Sequence, residues 1–392
     1  MVENFKNLGL NTICTHVGEV EDKQFKGAIS PLYMSTAYDY EDVDKKRYPR
    51  YFNTPNQEAL CKKIACLEHA EAAMLFGSGM AAISTTLFTF LNSGDHVVFQ
   101  KTLYGGTYNL VSTEFKKYGI SYTFTKGFSE KDFVSVIQEN TKVIFIESPS
   151  NPLMEIVDLQ MISSIARERG IVTMIDNTFA TPINQNPIVF GIDICIHSAT
   201  KYFGGHSDIS AGAVATTEAY IEQIWKKAIT QGGNLSDHTV WLLERSMKTM
   251  GIRVKAQNRN AKKMARWLDN HRLVKKVYYP GLKSNSKYKL AKKQMHGYGG
   301  MLSFELVSGI DPTAFIDSLT LVKKTMSLAG VESTILSPIK TSHSLLSKEE
   351  RKRQGIHDGL LRLSLGIEDR HDIIADFEQA FELVVERILE KT

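Results

Sequence analysis

The sequence holds little that would mark a membrane, metal or nucleic-acid protein. Only four of its 392 residues are cysteine (Cys14, Cys61, Cys66 and Cys195). They are too few to staple a chain of this length and have no metal-ligand spacing, so reduced structural thiols and no metal are expected. No apolar run approaches the ~20 residues needed to span a bilayer; "AAISTTLFTFL" is among the longest apolar windows. The first residues, "MVENFKNLGL", lack a basic patch followed by an apolar segment. No signal peptide is expected, and a cytoplasmic protein without a membrane partner is the default. Charge of one sign is scarce as well: 47 Lys and Arg against 43 Asp and Glu leave a net +4. With no basic stripe, nucleic acid is not expected as a partner. The run "KEERKRQ" mixes signs and reads as a solvated helix face. Low-complexity tracts and internal repeats are also missing.

What is present is a regular alternation. Residues 1–55 form an irregular arm rich in aromatics, which needs a surface to lie on. From "NQEALCKKIACLEHA", apolar at 60, 64 and 67 in helical spacing, the pattern becomes periodic. Short apolar runs follow ("HVVFQ", "ISYTFT", "KVIFIES", "IVTMIDN", "DICIHSA", "AGAVATT"), separated by helical stretches such as "LQMISSIARERG", whose glycine suits a helix C-cap. Runs apolar on both faces, alternating with helices, predict an α/β domain with a largely parallel sheet over 56–250. A smaller α/β domain is expected over 251–392. It carries strands in "GGMLSFELV" and "GLLRLSLGIE" and a closing amphipathic helix in "DIIADFEQAFELVVERILEK".

Ligands of open parallel sheets bind beyond the carboxyl ends of the strands. Those ends carry Glu147, Ser148 and Asn151; Asp176 and Asn177; and Ser198, Thr200 and Lys201. A glycine turn, "MLFGSGMAAISTTLF", leads from a strand into a helix whose first amides, at Gly79 and Met80, make an anion cradle. Gly77-Ser-Gly79-Met-Ala-Ala82 also satisfies a G-x-G-x-x-A dinucleotide pattern. The acid that should follow at a strand end is instead Asp95, which precedes "HVVFQ", so a nicotinamide oxidoreductase is the remote alternative. Each residue alone has a structural explanation: a loop cap for Asp176, a solvated surface amine for Lys201, core filler for Tyr104. Together, an amine, a carboxylate, an aromatic plate and a phosphate cup are what pyridoxal 5'-phosphate requires. Lysine suits the first role because desolvation frees a nucleophilic amine.

The stretches "FGSGMAAIS", "LYGGTYN", "ESPSNPL", "DNTFATPINQNP", "HSATKYFGGHSDISAG", "MSLAGVEST" and "LLRLSLGIED" resemble, in order and over nearly the whole chain, the pyridoxal-phosphate enzymes of cysteine and methionine metabolism. This trans-sulfuration family includes cystathionine γ-synthase, cystathionine β- and γ-lyases, methionine γ-lyase and homoserine sulfhydrylases. The resemblance implies fold type I, the aspartate-aminotransferase-like architecture, with a large mixed-sheet cofactor domain and a smaller C-terminal α/β domain. It implies that Lys201 binds the cofactor and shuttles protons, that Asp176 pairs with the pyridine nitrogen, and that Tyr104 stacks on the ring. Gly79, Met80, Ser198 and Thr200 would hold the phosphate. Arg362 would grip the substrate carboxylate, with Asn151 and Ser327 supporting substrate and cofactor. Tyr48 and Arg50 match a Tyr-x-Arg pair that reaches the neighbouring subunit's phosphate, so an obligate dimer, commonly a dimer of dimers, is expected. The family's Asn-Pro-Thr after that pair reads Asn53-Thr54-Pro55 here, which leaves the loop's conformation open.

The residues that select the substrate give mixed signals. Glu332 matches an acid of cystathionine-handling members and would face the distal ammonium. Arg47 stands where such lyases often carry another acid. Asn109 replaces an arginine of enzymes using O-succinylhomoserine, and Gly106 stands where methionine γ-lyases commonly have cysteine. The expected activity is cleavage of a carbon–sulfur bond in cystathionine. A γ-replacement synthase acting on an activated homoserine, or a methionine γ-lyase, is the alternative.

Overall fold

The computed structural model describes residues 8–341 and 347–390. Seven strands form the first sheet: β1 (Ala72–Phe76), β2 (His96–Phe99), β3 (Ser121–Phe124), β4 (Thr141–Glu147), β5 (Val172–Asp176), β6 (Ile194–His197) and β7 (Gly212–Thr216). Their spatial order is β1-β7-β6-β5-β4-β2-β3. The run β6-β5-β4-β2-β3 is parallel, as the apolar strands and intervening helices predict. β7 is antiparallel to both β6 and β1, which makes the sheet mixed. Val97, Val98, Ile144, Phe145, Ile175 and Ile196 are fully buried, so the sheet is covered on both faces.

The turn after β1 opens a helix, but β1 pairs only with antiparallel β7 at the sheet edge. A dinucleotide fingerprint would open a parallel βαβ unit. Asp95 sits in a turn, where its carboxylate accepts the Asn92 N–H at 2.7 Å. The nicotinamide pattern is therefore a coincidence of glycines.

The second sheet contains β8 (Val274–Tyr278), β9 (Met301–Leu306), β10 (Lys323–Lys324), β11 (Thr334–Leu336) and β12 (Leu360–Ser364), in the order β10-β11-β12-β9-β8. It packs its own core, including Phe304, Phe315, Leu361, Leu363 and Phe377, against the long helix Met250–Asp269 and the closing helix Arg370–Leu389. The helix Met250–Asp269 crosses the expected domain boundary, with Val254 in the first core and Ala261 in the second.

The arm is not wholly irregular. It contains α1 (Leu10–His16), whose Ile13 and Cys14 join the first core. Its end settles the conformation of Asn53-Thr54-Pro55. Thr54 is the N-cap of α2 (Pro55–Glu68): its hydroxyl accepts the Gln57 N–H at 3.3 Å, and the Gln57 side chain accepts the Thr54 N–H at 3.1 Å. Pro55 takes the first helical position, where a missing N–H costs nothing. The order Thr-Pro thus makes a reciprocal cap.

Candidate active site

Strands β4, β5 and β6 end side by side, with Glu147 and Asp176 in register across neighbouring strands. Beyond these ends lies a cavity of about 590 Å³, within the range of small-molecule sites. Ten of the expected site residues line it. They are Gly79, Met80, Tyr104, Asn151, Asp176, Ser198, Thr200, Lys201, Ser327 and Arg362.

Lys201 is placed by a tight turn after β6, in which its N–H donates to the Ser198 carbonyl at 3.0 Å. The two glycines that follow let the chain fold back, the Gly204 N–H donating to Ala199 and the Gly205 N–H to Lys201. Gly205 has φ +67°, and a Cβ there would fall 1.8 Å from the Arg253 guanidinium. Only glycine satisfies both conditions. Arg253, itself buried, donates to the Tyr202 carbonyl at 3.0 Å and to the Ser246 carbonyl at 2.8 Å, fixing the segment that carries the lysine. The Lys201 ammonium donates to Ser327 Oγ at 2.7 Å. Burial, with Arg362 nearby, lowers its pKa from 10.5 to about 8. That amine is therefore far more nucleophilic near neutral pH than a surface lysine.

Asp176 accepts the Thr178 N–H at 3.0 Å. Burial raises its pKa, against the Thr178 hydrogen bonds and His197, which favour the carboxylate. Thr178 also accepts the Ser198 N–H at 2.8 Å, so the ends of β5 and β6 are tied. Beside Ser198, α3 (Gly79–Phe90) is capped by Ser78, whose hydroxyl accepts the Ala81 N–H at 3.0 Å. The amides of Gly79 and Met80 precede the first intrahelical bonds, and both residues line the cavity. A Cβ on Gly79 would lie 2.7 Å from Ser198 Cβ and 2.9 Å from its Cα. Thr200 exchanges hydrogen bonds with the Ala211 backbone at 3.0 and 3.1 Å, so its hydroxyl is oriented by β7's approach.

Tyr104 is the N-cap of α4 (Gly105–Glu114) and is 41% exposed. Its ring lies over Gly106, where a Cβ would come within 2.5 Å of the ring. A side chain at 106 would push this ring aside. Arg362, on β12, alternates with Leu361 and Leu363 of the second core and so points to the opposite face. It donates to Asn151 Oδ1 at 3.0 Å and to the Ser327 carbonyl at 3.2 Å. Ser327 and Ala329 hold left-handed backbones, φ +75° and +67°. Such strain persists where neighbours over-determine it. Here the Ser364 hydroxyl accepts the Ala329 N–H at 2.8 Å, and Gln257 donates to the Gly330 carbonyl at 2.8 Å.

Three expected site residues lie away from the cavity. Tyr48 and Arg50 sit on the arm, with the Arg50 guanidinium 5.7 Å from the Tyr48 ring and bonded to the Ile229 carbonyl. Glu332 does not line the cavity; its Oε1 faces Lys323 at 3.5 Å. Arg47 pairs with Glu58 at 2.8 Å. Conversely, Glu147 and Thr178 line the cavity without having been assigned a role from sequence. Among the described residues no cluster could hold a metal, and no helix is long and apolar enough to cross a membrane.

A family model described as Cys/Met metabolism PLP-dependent enzyme matches residues 11–382. A cystathionine gamma-lyase of Bacillus subtilis is 40% identical over 375 residues, covering 95% of this chain and 98% of that protein. An L-methionine gamma-lyase of Fusobacterium nucleatum subsp. nucleatum is 38% identical over 395 aligned residues, covering 97% of this chain and 99% of that protein. The crystal structure of a cystathionine gamma-lyase from Lactobacillus plantarum, complexed with L-serine, superposes with a TM-score of 0.92 at 36% identity. It covers 96% of this chain and 99% of that one. The mixed seven-stranded sheet, the smaller second sheet and the convergence of an amine, a carboxylate and a guanidinium at one rim agree with these matches: the chain belongs to the Cys/Met metabolism family of pyridoxal-phosphate-dependent enzymes.

Proposed function

We propose that this chain cleaves the carbon–sulfur bond of cystathionine, with uptake of water, to a thiol amino acid, ammonia and a 2-oxo acid. The observation that carries the reading is a single contact chain. Lys201 Nζ bonds to Ser327 Oγ, and Arg362 bonds to the Ser327 carbonyl and to Asn151. A proton-transferring amine and a carboxylate-binding fork therefore stand on either side of one serine, as cleavage of an α-amino acid requires.

The residues fit the cofactor. Pyridoxal phosphate, when bound, supplies an electron sink for the pair left by the departing α-proton. Lys201 would hold it and move that proton; Asp176 would keep the pyridine nitrogen protonated; Tyr104 would lie against the ring and assist in proton transfer. The Gly79 and Met80 amides, with Ser198 and Thr200, would take the phosphate, and the close approach of Gly79 to Ser198 gives that cup its shape. Asn151 and Ser327 would orient Arg362, which binds the substrate carboxylate as a bidentate donor. Glu332 would face the distal ammonium of the substrate, exchanging for it the Lys323 ammonium that stands 3.5 Å away.

We read residues 1–55 as an arm laid on a partner subunit, 56–250 as the cofactor domain and 251–392 as the C-terminal domain. A dimer of dimers, with Tyr48 and Arg50 completing the neighbour's phosphate site, is supported by the apolar side chains the arm leaves in water: Phe25 is 80% exposed, Tyr40 69% and Met34 64%. The four free thiols suit a reducing cytoplasm.

Incubating the holoenzyme with cystathionine alone tests the reading. Release of an oxo acid is expected, and its absence beside rapid thioether formation from O-acetyl- or O-succinylhomoserine with cysteine would reassign the chain as a γ-replacement synthase. Preferential release of methanethiol from methionine would mark a methionine γ-lyase. Gly106, standing where methionine γ-lyases commonly have cysteine, argues against that outcome.

Two further outcomes follow from the site's geometry. Gly79→Ala forces backbone and Cβ of Ser198 to move. Cofactor affinity, measured by equilibrium dialysis, is expected to fall about tenfold or more from loss of charge-assisted hydrogen bonds. The pKa of Lys201 gives a pH signature in the apoprotein. Labelling of Lys201 by an amine-reactive reagent, read by peptide mass spectrometry, is expected to reach half its maximum near pH 8 rather than the ordinary 10.5. The neutral amine is the reactive form, so reactivity rises with pH through that value; a midpoint near 10.5 would contradict the desolvated site.

A further inference from the structure

Glu147 ends β4 inside the cavity, buried, and its two carboxyl oxygens face in different directions. Oε2 accepts the main-chain N–H of Tyr104 at 2.8 Å, and Oε1 accepts the main-chain N–H of Asn151 at 2.7 Å. The first bond fixes the N-cap of α4, from which the Tyr104 ring extends over Gly106. The second fixes the residue whose side chain receives Arg362 at 3.0 Å. Glu147 is itself clamped by Gln100, which accepts its N–H at 3.0 Å and donates to its carbonyl at 2.9 Å. Its backbone is therefore held while its carboxyl reaches out to both neighbours.

We propose that Glu147 is a positioning residue that joins the two halves of the site: one buried carboxyl sets the ring plate at Tyr104 and the carboxylate fork at Asn151 and Arg362 relative to each other. The inference rests on the reading of those two groups given above. Burial and neighbouring Asp176 raise the Glu147 pKa, while the Tyr104 and Asn151 N–H groups pull it back toward the ionised form; only that form, with both oxygens acceptors, receives two N–H groups at once. A glutamine would turn an NH2 against one of them, leaving a buried donor facing a donor. The side chain must also be long enough to reach both amides from the end of β4. An aspartate keeps the carboxyl but withdraws it by one carbon–carbon bond, so it cannot hold both.

The test uses the holoenzyme and the variants Glu147→Gln and Glu147→Asp with two readouts that involve no turnover. The dissociation constant of an unreactive amino acid, glycine, is followed through the bound cofactor's visible absorption and reports the fork. The visible circular dichroism of the cofactor before glycine is added reports the ring plate. Both variants are expected to bind glycine about tenfold or more weakly, as for a buried hydrogen bond lost, and to show an altered dichroic band. Their melting temperatures control for general loosening. If Glu147→Gln does not fold, Glu147→Asp decides alone, because it preserves charge and differs only in reach. An Asp variant with wild-type values of both readouts, or a change in one readout without the other, overturns the proposal. A wild-type holoenzyme that gives no spectral response to glycine would instead overturn the reading of the amino-acid site itself.

Discussion

Lys201→Ala is expected to lower cystathionine turnover by at least about a thousandfold, since general acid–base transfer alone contributes on the order of 10²–10⁴. Among the described residues that line the cavity, no second lysine stands ready to replace it. The next nitrogen in the contact chain belongs to Arg362, which stays protonated even with its pKa lowered to about 10 by burial. Its guanidinium is already committed to Asn151 and Ser327. A structural lysine would lose stability when truncated; this one should do the opposite in the apoprotein. Its folded-state pKa lies below the ordinary 10.5, so below about pH 8 the folded chain holds a protonated amine where it is poorly solvated, and folding is opposed. As pH rises from 8 towards 10.5 the unfolded chain loses the same proton and the opposition disappears. The apoprotein of Lys201→Ala is therefore expected to gain melting temperature relative to wild-type apoprotein at pH 7, and to lose that advantage by pH 10. Thermal melts at the two pH values, set beside turnover assays, check both halves. A variant that is inactive and uniformly less stable at every pH would make Lys201 a structural residue.

The same residue shows what a sequence can and cannot disclose. Lys201 and Asp176 carry side-chain chemistry and stand at the ends of strands whose apolar runs are visible, so strand ends locate them; Arg362 sits within a visible strand, but only the family resemblance of "LLRLSLGIED" singles it out. Glu147 was visible at the same rim, but its partners are main-chain amides of residues 104 and 151. Main-chain donors exist at every non-proline position and leave no trace in composition. Strand direction was equally hidden: "AGAVATT" is buried throughout β7 whichever way it runs, so its antiparallel pairing with β6 and β1 could not be told from a parallel one. β8 is disguised by lysines at 275 and 276 that face water, with only Val277 fully committed to the core. β10 has two residues, both exposed, and no period to detect. The motif alone assigns Glu332; its neighbour Lys323, 3.5 Å away, is a charge partner that only the folded sheet brings near.

Arg362→Ala is expected to lower kcat/KM for cystathionine by about a thousandfold. Truncating one partner of a buried, hydrogen-bonded charge pair costs roughly 2–5 kcal/mol, and each 1.36 kcal/mol is about tenfold. Most of the loss should fall on KM, because the carboxylate that the guanidinium is proposed to bind keeps its charge throughout the reaction. Arg362→Lys separates charge from shape. Lysine keeps a cation at the site but has a single ammonium, and it cannot donate to Asn151 Oδ1 and the Ser327 carbonyl, 3.0 and 3.2 Å from two different guanidinium nitrogens, while also receiving a carboxylate in bidentate fashion. A loss of about 10- to 100-fold is expected for Lys, intermediate between wild type and Ala. Freeing the Ser327 carbonyl has a second effect: it removes one of the contacts holding Ser327 at φ +75°, so the serine hydroxyl that receives Lys201 at 2.7 Å loses its fixed position. In both variants, therefore, kcat should fall as well, by less than KM rises, and the reactivity of Lys201 towards amine reagents should change although residue 201 is untouched. A lysine variant with wild-type KM would show that a point charge suffices, and an alanine variant that left Lys201 reactivity unchanged would sever the link through Ser327.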